Sequence, residues 1–408
     1  MSKKEEFIVG LDIGTTKICV IVGVPSGKEI DIIGIGTHPS HGLRKGVVVN
    51  IENTVQSIKR AVEEAELMAG CDITSVYTGI AGGHIKGFNS HGIVAVKSRE
   101  VTEGDIRRVI DAASAVAIPM DREVIHILPQ EYIVDGHNGI KDPLGMSGVR
   151  LEVKVHIVTG AVTSAQNIIK CANRAGLAVN DIILQQLGSS EAVLTSEEKE
   201  LGVALVDIGG GTTDIAIFHH GSIKHTSVIS LAGDHITGDL AIGLRTPIEE
   251  AEKIKKKYGC ALTSLTAKDE KVEVPAVGER KARIISRQTL AEIIEPRMEE
   301  TLSLVQREII AAGYESLIAS GIVITGGSAL LEGMTELAEQ IFSLPVRKGY
   351  PRNMGGLTDI VRNPIYATAV GLVLYGKGGR IGEGFRPGDE NIFDKVTRRM
   401  KDWFKEFF

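Results

Sequence analysis

Residues 205–214 read LVDIGGGTTD, and this stretch decides the fold. Apolar runs precede and follow it, which predicts a β-hairpin whose turn is made of three glycines. Because Gly209, Gly210 and Gly211 lack Cβ atoms, they can turn sharply and direct backbone N–H groups at an anion. The alternative is a glycine-rich hairpin without a ligand, but consecutive glycines would destabilise such a hairpin. The stretch therefore predicts a phosphate-binding turn.

The polar residues around this turn predict a cation beside the phosphate. Thr212 and Thr213 add hydroxyl donors. A carboxylate such as Asp207 is repelled by phosphate unless a cation lies between them, so we expect Mg²⁺, held partly through water. Asp214 is expected to orient a water molecule in the same shell.

A weaker copy of the motif lies near the N-terminus, where residues 9–16 read VGLDIGTT. Asp12 corresponds to Asp207, and both are expected to hold the Mg²⁺ through water. Lys17 either reaches a phosphate or is a solvated strand residue. Two copies, each followed by a similar series of strands and helices, predict a duplicated fold with two facing phosphate hairpins. The nucleotide-binding residues predicted for the first hairpin are Asp12, Gly14, Thr15, Thr16 and Lys17.

A third stretch, residues 322–331, reads IVITGGSALL, a buried strand followed by a Gly-Gly turn and the start of a helix. Together with the two hairpins it resembles the actin, Hsp70 and sugar-kinase superfamily, in which the corresponding loop binds adenosine. This resemblance implies ATP as the ligand and contacts from Gly326, Gly327 and Ser328. Similarity to the superfamily's Ala-Gly-Asp turn further implies contacts from Gly233 and Asp234.

A helix predicted over residues 248–258 carries Glu252 and Lys255 three positions apart, hence on one face. In the superfamily this helix supplies ribose and adenine contacts, and the resemblance implies the same for both residues. The alternative is a solvated helix face, because further charged residues surround the pair.

Composition excludes several classes of protein. The 408 residues suffice for at least two domains with substantial cores. With 46 Lys and Arg against 52 Asp and Glu, the net charge of −6 offers nucleic acid no favourable field. The four cysteines have no metal-ligand spacing. We expect reduced thiols of a cytosolic protein, no signal peptide and no membrane-spanning segment.

The order of predicted elements indicates an α/β protein: an actin-like (ribonuclease H-like), duplicated, two-lobed ATPase fold with an inserted α/β subdomain and a C-terminal amphipathic helix. Residues 37–52 are too few for the subdomain that actin carries there. A change in the pattern of predicted strands and helices over 83–162 predicts that the insertion lies there instead. Within the chain, 135–147 is predicted as a loop, 179–187 as a strand and 188–198 as a helix. The expected boundaries are 1–82 and 163–200 for the first lobe, 201–246 and 313–375 for the second lobe, and 247–312 for a small second-lobe subdomain.

The C-terminal residues have the pattern of a membrane-surface helix behind a glycine-rich, flexible linker at 376–390. Residues 391–408 place apolar and aromatic side chains on one face and basic side chains beside them, as in helices that lie on anionic lipid. The alternative is a terminal helix docked on its own core. The predicted membrane-contacting residues are Ile392, Phe393, Lys395, Val396, Arg398, Arg399, Met400, Trp403, Phe404 and Phe407.

These features together resemble the FtsA family, the bacterial actin homologues of cell division. Two further stretches, GLRKG at 42–46 and EAVLT at 191–195, are also similar to that family. The resemblance implies ATP and Mg²⁺ binding, self-association into filaments and a peripheral location on the cytoplasmic face of the membrane at the division septum. It also implies that residues 247–312 bind FtsZ and that the insertion recruits other division proteins.

The sequence leaves two questions open. Gln186 lies near the position of the glutamine that orients the attacking water in actin, and Asp207 is the other catalytic candidate. A neutral amide is a poor general base, so we expect at most slow hydrolysis. The alternative families are a PilM-type pilus-assembly actin homologue, an Hsp70-like ATPase and a sugar-kinase-like ATPase.

Overall fold

The structure, a computed structural model, describes residues 7–27, 29–267, 269–278 and 281–378 and the short strand at 383–384. The predicted amphipathic helix over 391–408 and most of the predicted linker lie outside these residues. No helix in the described part of the chain is both long and apolar enough to cross a membrane.

The first half of the chain opens with a meander and a helix. The elements up to the insertion are β1 (Ile8–Ile13), β2 (Lys17–Ser26), β3 (Glu29–Pro39), β4 (Leu43–Arg44), β5 (Val47–Val48), α1 (Ile51–Ala69) and β6 (Ser75–Ile80). Helix α1 begins where the Asn50 side chain accepts the N–H of Asn53, and it ends at Gly70, whose φ of 66° is left-handed. The strands between residues 37 and 52 form only a two-residue hairpin, as the short connection predicts.

The insertion is an antiparallel sheet with one helix. Its elements are β7 (Lys86–Ala95), α2 (Glu103–Ser114), β8 (Arg122–Val134), β9 (His137–Ile140) and β10 (Arg150–Ala161). Strand β9 pairs with β8, so the prediction of a loop throughout 135–147 was wrong. A turn at Gly136, with a φ of 86°, allows the chain to fold back and form this pair.

The chain then completes the first lobe and enters the second. The elements are α3 (Val162–Arg174), β11 (Ala178–Leu184), α4 (Gln185–Val193), α5 (Ser196–Leu201), β12 (Val203–Ile208), β13 (Thr213–His219), β14 (Ser222–Ile229), α6 (Gly233–Leu244), α7 (Ile248–Tyr258), β15 (Lys271–Val274), β16 (Arg283–Ser286) and α8 (Arg287–Ala311). Strand β11 ends before Gln185, so the predicted strand over 179–187 was too long and the following helix begins earlier than predicted.

The remaining elements close both lobes. They are β17 (Ile322–Thr325), α9 (Met334–Phe342), β18 (Val346–Lys348), β19 (Met354–Gly356), α10 (Thr358–Val361), α11 (Ala367–Gly378) and β20 (Glu383–Gly384). Helix α11 extends past residue 375, and β20 pairs with β8, so the segment predicted as linker contributes to both structures.

Two equivalent sheets form the lobes, as the repeated motif predicts. The first has the strand order β11-β6-β1-β2-β3-β19, and the second has the order β14-β13-β12-β17-β18. In each sheet an antiparallel hairpin, β1–β2 or β12–β13, is flanked by a parallel partner of its first strand, β6 or β17. The insertion forms a separate sheet in the order β20-β8-β10-β7.

The two lobes share apolar packing through the two faces of the second hairpin. Leu205 and Ala216 belong to the core that also contains the first sheet, whereas Val206 and Ile215 belong to the core of the second lobe. This alternation is the period of two of a β-strand whose faces are both buried. The insertion has a third apolar core of its own.

Candidate nucleotide-binding cleft

The turns of the two hairpins face each other across a cleft of about 490 Å³ between the lobes. Most of the residues that the sequence predicted for the nucleotide site line this cleft. They are Asp12, Gly14, Thr15, Thr16, Lys17, Asp207, Gly209, Gly210, Gly211, Thr212, Asp214, Gly233, Glu252, Lys255, Gly326, Gly327 and Ser328.

The two turns are in direct contact, which explains why the second is made of glycine. A Cβ atom on Gly210 would lie 2.4 Å from Cγ2 of Thr16, and one on Gly211 would lie 2.5 Å from Oγ1 of Thr15. Both distances are shorter than van der Waals contact allows, so any side chain at these positions would push the lobes apart. The absence of side chains therefore permits the close approach of the two lobes.

Gly209 has a structural role that the sequence did not indicate. Its N–H donates to the carbonyl of Thr212 at 3.0 Å and closes the turn, so it is not aimed at a ligand. Its carbonyl accepts the N–H of Gly233 at 3.1 Å and the hydroxyl of Ser328 at 3.3 Å. Gly209 thus joins the hairpin to the start of α6 and to the Gly-Gly loop.

Three buried carboxylates converge on the cleft, and burial raises the pKa of each. Desolvation raises the pKa of Asp12 to about 6, against the opposing charge of Lys17. Desolvation and the neighbouring charges of Asp207 and Asp12 raise the pKa of Asp214 to about 8. The pKa of Asp207 is also raised by desolvation, despite hydrogen bonds from Ser189 and Thr368. Such a cluster favours a cation, which would lower the cost of ionising all three.

One carboxylate oxygen indicates a missing partner. Oδ2 of Asp214 accepts the hydroxyl of Thr212 at 2.9 Å, whereas its buried Oδ1 has no hydrogen-bond partner. Within the described ranges, no group of three or more His, Cys, Asp and Glu side chains is arranged to hold a metal ion. The buried carboxylates and the unpartnered oxygen of Asp214 fit a Mg²⁺ ion that takes most of its ligands from water and phosphate, as Mg²⁺ commonly does.

The structure corrects the position of the cleft glutamine. Gln186 does not line the cleft; it is fully buried, and its Nε2 donates to the carbonyl of Ser227 at 3.2 Å. Its neighbour Gln185 lines the cleft and donates from Nε2 to Oδ1 of Asp12 at 3.1 Å. Both glutamines belong to the first turn of α4, whereas the sequence predicted that they belong to a strand. Side chains leave a helix in different directions from those of a strand, so Gln185 rather than Gln186 reaches the cleft.

Two other predicted contacts lie outside the cleft lining, Thr213 and Asp234. The hydroxyl of Thr213 donates to the carbonyl of Leu231 at 2.7 Å and so holds β13 to the segment after β14. Asp234 is exposed at the start of α6, and its N–H donates to the carbonyl of Gly210 at 2.8 Å. Asp234 therefore supports the phosphate turn through its backbone.

The structure shows the surroundings of the charged residues for which the sequence left alternatives open. Lys17 lines the cleft, but its Nζ donates to the carbonyl of Ile365 at 2.7 Å and lies 4.3 Å from the centre of the Tyr366 ring. Lys255 also lines the cleft, 2.6 Å from Oε2 of Glu252, and it donates to the carbonyl of Gly233 at 3.0 Å. Neither Glu252 nor Lys255 therefore lies on a solvated face.

Sequence reasoning missed part of the cleft because distant segments contribute to it. Gly46 belongs to the GLRKG stretch that is similar to the FtsA family, and Leu330 and Leu331 directly follow the Gly-Gly loop. The remaining missed residues gave no local signal for a ligand. The residues that line the cleft without having been predicted are Ile13, Gly46, Gln185, Lys256, Gly259, Leu330, Leu331, Pro364, Ile365 and Thr368.

Comparison with known proteins identifies the family. The chain is 60% identical to the Cell division protein FtsA of Pseudomonas aeruginosa over 372 residues, which cover 91% of this chain and 89% of that protein. This chain belongs to the FtsA family. It is also 45% identical over 409 residues to FtsA of Escherichia coli K12, covering 98% of this chain and 96% of that protein.

Family profiles and solved structures agree with this assignment. The profile described as Cell division protein FtsA matches residues 204–371, and the profile described as the SHS2 domain inserted in FtsA matches residues 82–159. A PilM–PilN pilus biogenesis complex is similar with a TM-score of 0.67, at 17% identity over 90% of this chain and 98% of that one. MreB5 of Spiroplasma citri bound to ADP is similar with a TM-score of 0.54, at 16% identity over 91% of this chain and 97% of that one. These likenesses show a shared actin-like fold.

Proposed function

We propose that this FtsA-family chain binds ATP and Mg²⁺ in the cleft between its lobes. The observation that supports this most is the contact of two glycine-containing turns around three buried carboxylates, one with an unpartnered oxygen. The N–H groups of Gly210 and Gly211 and the hydroxyl of Thr15 would hold the phosphates, while Thr212 would position Asp214 beside them. The similar MreB5 structure is bound to ADP, which supports a nucleotide as the ligand class.

The cation and the nucleoside have separate residues in this proposal. Asp12 and Asp207 would hold Mg²⁺ through water, and the ion would neutralise charge on the phosphates. The Gly326–Gly327 loop, with Ser328, would contact the nucleoside from one side, and the Glu252–Lys255 pair would contact it from α7.

Hydrolysis at this site is proposed to be slow. Gln185 lines the cleft, and its amide already donates to Oδ1 of Asp12. A neutral amide can orient a water molecule but is a poor general base. Asp207 accepts hydrogen bonds from Ser189 and Thr368, which hold its carboxylate in place. We therefore expect nucleotide to control assembly more than to support rapid turnover.

Titration of the purified full-length chain with ATP, in the presence and absence of Mg²⁺, tests the nucleotide site. We expect saturable binding that strengthens with Mg²⁺, and phosphate release far below that of a metabolic kinase. Failure to bind either ATP or ADP would refute the proposal, and fast multiple-turnover phosphate release without partners would refute its second part.

We further propose that the chain forms filaments on the cytoplasmic face of the membrane at the division septum, tethers FtsZ there and helps to recruit other division proteins. Membership of the FtsA family supports this role. The small second-lobe subdomain would bind FtsZ, and Ile248 and Ile284 expose 67% and 70% of their surfaces there. Retention of FtsZ, but not of a pilus inner-membrane peptide, on immobilised protein would distinguish this role from that of a PilM-type protein.

Attachment to anionic lipid is proposed for residues 391–408, from the sequence alone. One such helix gains free energy from partial burial of its apolar face and from lipid charge, but it loses backbone entropy on folding, so a single helix should bind weakly. A filament presents many helices at once, which makes attachment strong without a new contact.

Trp403 is the only Trp in the chain, so its emission reports this segment. We expect a blue shift with anionic vesicles and release of the protein in Trp403→Glu. Emission already blue-shifted without lipid and unchanged by it would indicate a docked helix instead.

A further inference from the structure

The short β4–β5 hairpin lies at one end of the cleft, against the glycine-containing turns of both lobes. The strands pair Leu43 with Val48 and Arg44 with Val47, and the N–H groups of Val49 and Asn50 both donate to the carbonyl of Gly42. The hairpin tip is therefore Lys45–Gly46, fixed from both sides.

This tip touches the phosphate turns of both lobes. The N–H of Gly46 donates to Oγ1 of Thr15 in the first turn at 3.0 Å, and Gly46 lines the cleft. On the other side, Cα of Lys45 lies 3.0 Å from the place that a Cβ of Gly211 would occupy. The backbone of Lys45 is thus packed against the glycine turn of the second lobe.

The turn of the hairpin fixes the backbone of Lys45. Its φ is 51° and that of Gly46 is 77°, as two-residue hairpin turns require at both central positions. The contacts of the tip with Thr15 and Gly211 hold this turn between the two lobes.

The other lysines near the cleft are already engaged. Nζ of Lys17 is bonded to the carbonyl of Ile365, and Nζ of Lys255 is paired with Glu252. Lys256 is also paired with Glu252, at 3.2 Å. By contrast, Lys45 does not itself line the cleft; it is exposed beside it, and its side chain makes no hydrogen bond or ion pair within the described residues.

We propose that Lys45 recognises the terminal phosphate of a bound nucleoside triphosphate and thereby distinguishes it from the diphosphate. The inference rests on the proposed nucleotide site. Three carboxylates surround the phosphate end, so a triphosphate needs cationic partners there besides Mg²⁺, and Lys45 is the uncommitted side chain beside both turns. A diphosphate lacks the group that Lys45 would contact, so its affinity does not depend on this residue.

The test compares Lys45→Asn, Lys45→Arg and the matched control Arg44→Asn. Asparagine tolerates the left-handed backbone and removes the charge, arginine keeps the charge, and Arg44→Asn removes one charge from the neighbouring strand position. Each full-length variant is titrated with a non-hydrolysable ATP analogue and with ADP at saturating Mg²⁺, and its thermal unfolding is measured.

We expect Lys45→Asn to weaken binding of the ATP analogue about tenfold, the scale of one hydrogen bond to a charged group. Binding of ADP should change by less than about twofold. Lys45→Arg should restore most of the discrimination, and Arg44→Asn should leave both affinities near those of the unaltered chain. Equal loss of both nucleotides in Lys45→Asn, or loss of neither, overturns the role of Lys45. Absence of binding in the unaltered chain refutes the nucleotide site itself.

Discussion

The contact between the two phosphate turns predicts the effect of a single methyl group at Gly210. In Gly210→Ala the Cβ would lie 2.4 Å from Cγ2 and 2.8 Å from Oγ1 of Thr16, so the turns cannot keep their present separation. Overpacking of this kind costs about 1–3 kcal/mol. If closed lobes are needed to hold the nucleotide, that cost lowers ATP affinity about 5- to 150-fold.

A double-mutant cycle separates this steric effect from loss of a ligand contact. Thr16→Ala removes both close atoms and leaves only its Cβ, 3.1 Å from the new methyl group. Calorimetric titration with ATP should therefore show that Gly210→Ala costs much less in the Thr16→Ala background. Gly238→Ala is the control, because a Cβ there meets nothing within 4 Å. Additivity of the two substitutions within about 0.5 kcal/mol would refute the argument that the lobes meet at this contact.

Three other changes have clear expected outcomes. A Cβ at Gly327 would lie 3.9 Å from its nearest neighbour, Cγ2 of Ile365, so Gly327→Ala should unfold at nearly the same temperature but bind ATP at least about tenfold more weakly. Unchanged affinity in calorimetry would remove this loop from the site. Burial lowers the pKa of His156 to about 3, so its contribution to stability is present above its ordinary value of 6.5 and is lost as the pH falls towards 3. In urea titrations His156→Gln should lose about 2 kcal/mol less stability than the unaltered chain between pH 7 and pH 5, because the other titrating groups are common to both. Replacing residues 83–162 by a short linker should leave ATP binding in place while weakening self-association in sedimentation; loss of ATP binding in a folded variant would contradict this.

The fold and the centre of the site could be predicted because their signals are local. Each phosphate hairpin combines an apolar strand, an acid and small turn residues within one short stretch, and the repetition of that stretch predicts two lobes. The C-terminal end of α1 has an equally local signal, since Gly70 supplies the left-handed residue that ends the helix.

Errors arose where a small shift in the boundary between two elements changes which side chain faces the cleft. The run that ends at Leu184 continues into Gln185 and Gln186 without a breaker, and an apolar strand and a buried helix give the same pattern there. Because the helix starts at Gln185, the residue predicted to face the cleft is buried and its neighbour takes that position. Boundaries of this kind are fixed by tertiary packing, which periodicity does not contain.

Other cleft residues could not be predicted because only the folded chain brings them together. Thr368 lies far from Asp207 in sequence, yet its hydroxyl donates to Oδ2 of Asp207 at 3.2 Å. Ile365 likewise holds the ammonium of Lys17 through its carbonyl, a contact that any residue could make. A contact made by a backbone carbonyl cannot be predicted from the type of amino acid that provides it.

The insertion connects the lobes by a second route, away from the cleft. Its chain enters and leaves through the first lobe, but three of its side chains bond to β14 of the second lobe. Nε2 of His156 lies 2.8 Å from Oγ1 of Thr226, and Gln130 and Asn89 donate to the carbonyls of Ile223 and Lys224. A change in the separation of the lobes must therefore either break these bonds or move the insertion together with the second lobe. The second movement requires the chain to bend at both connections of the insertion, near residues 82 and 162, and requires Ile125 and Leu128 to shift on the first-lobe core. Gly82 has a φ of 124° and packs beside the tip of the β4–β5 hairpin. The hairpin at the cleft and one joint of the insertion are thus in contact.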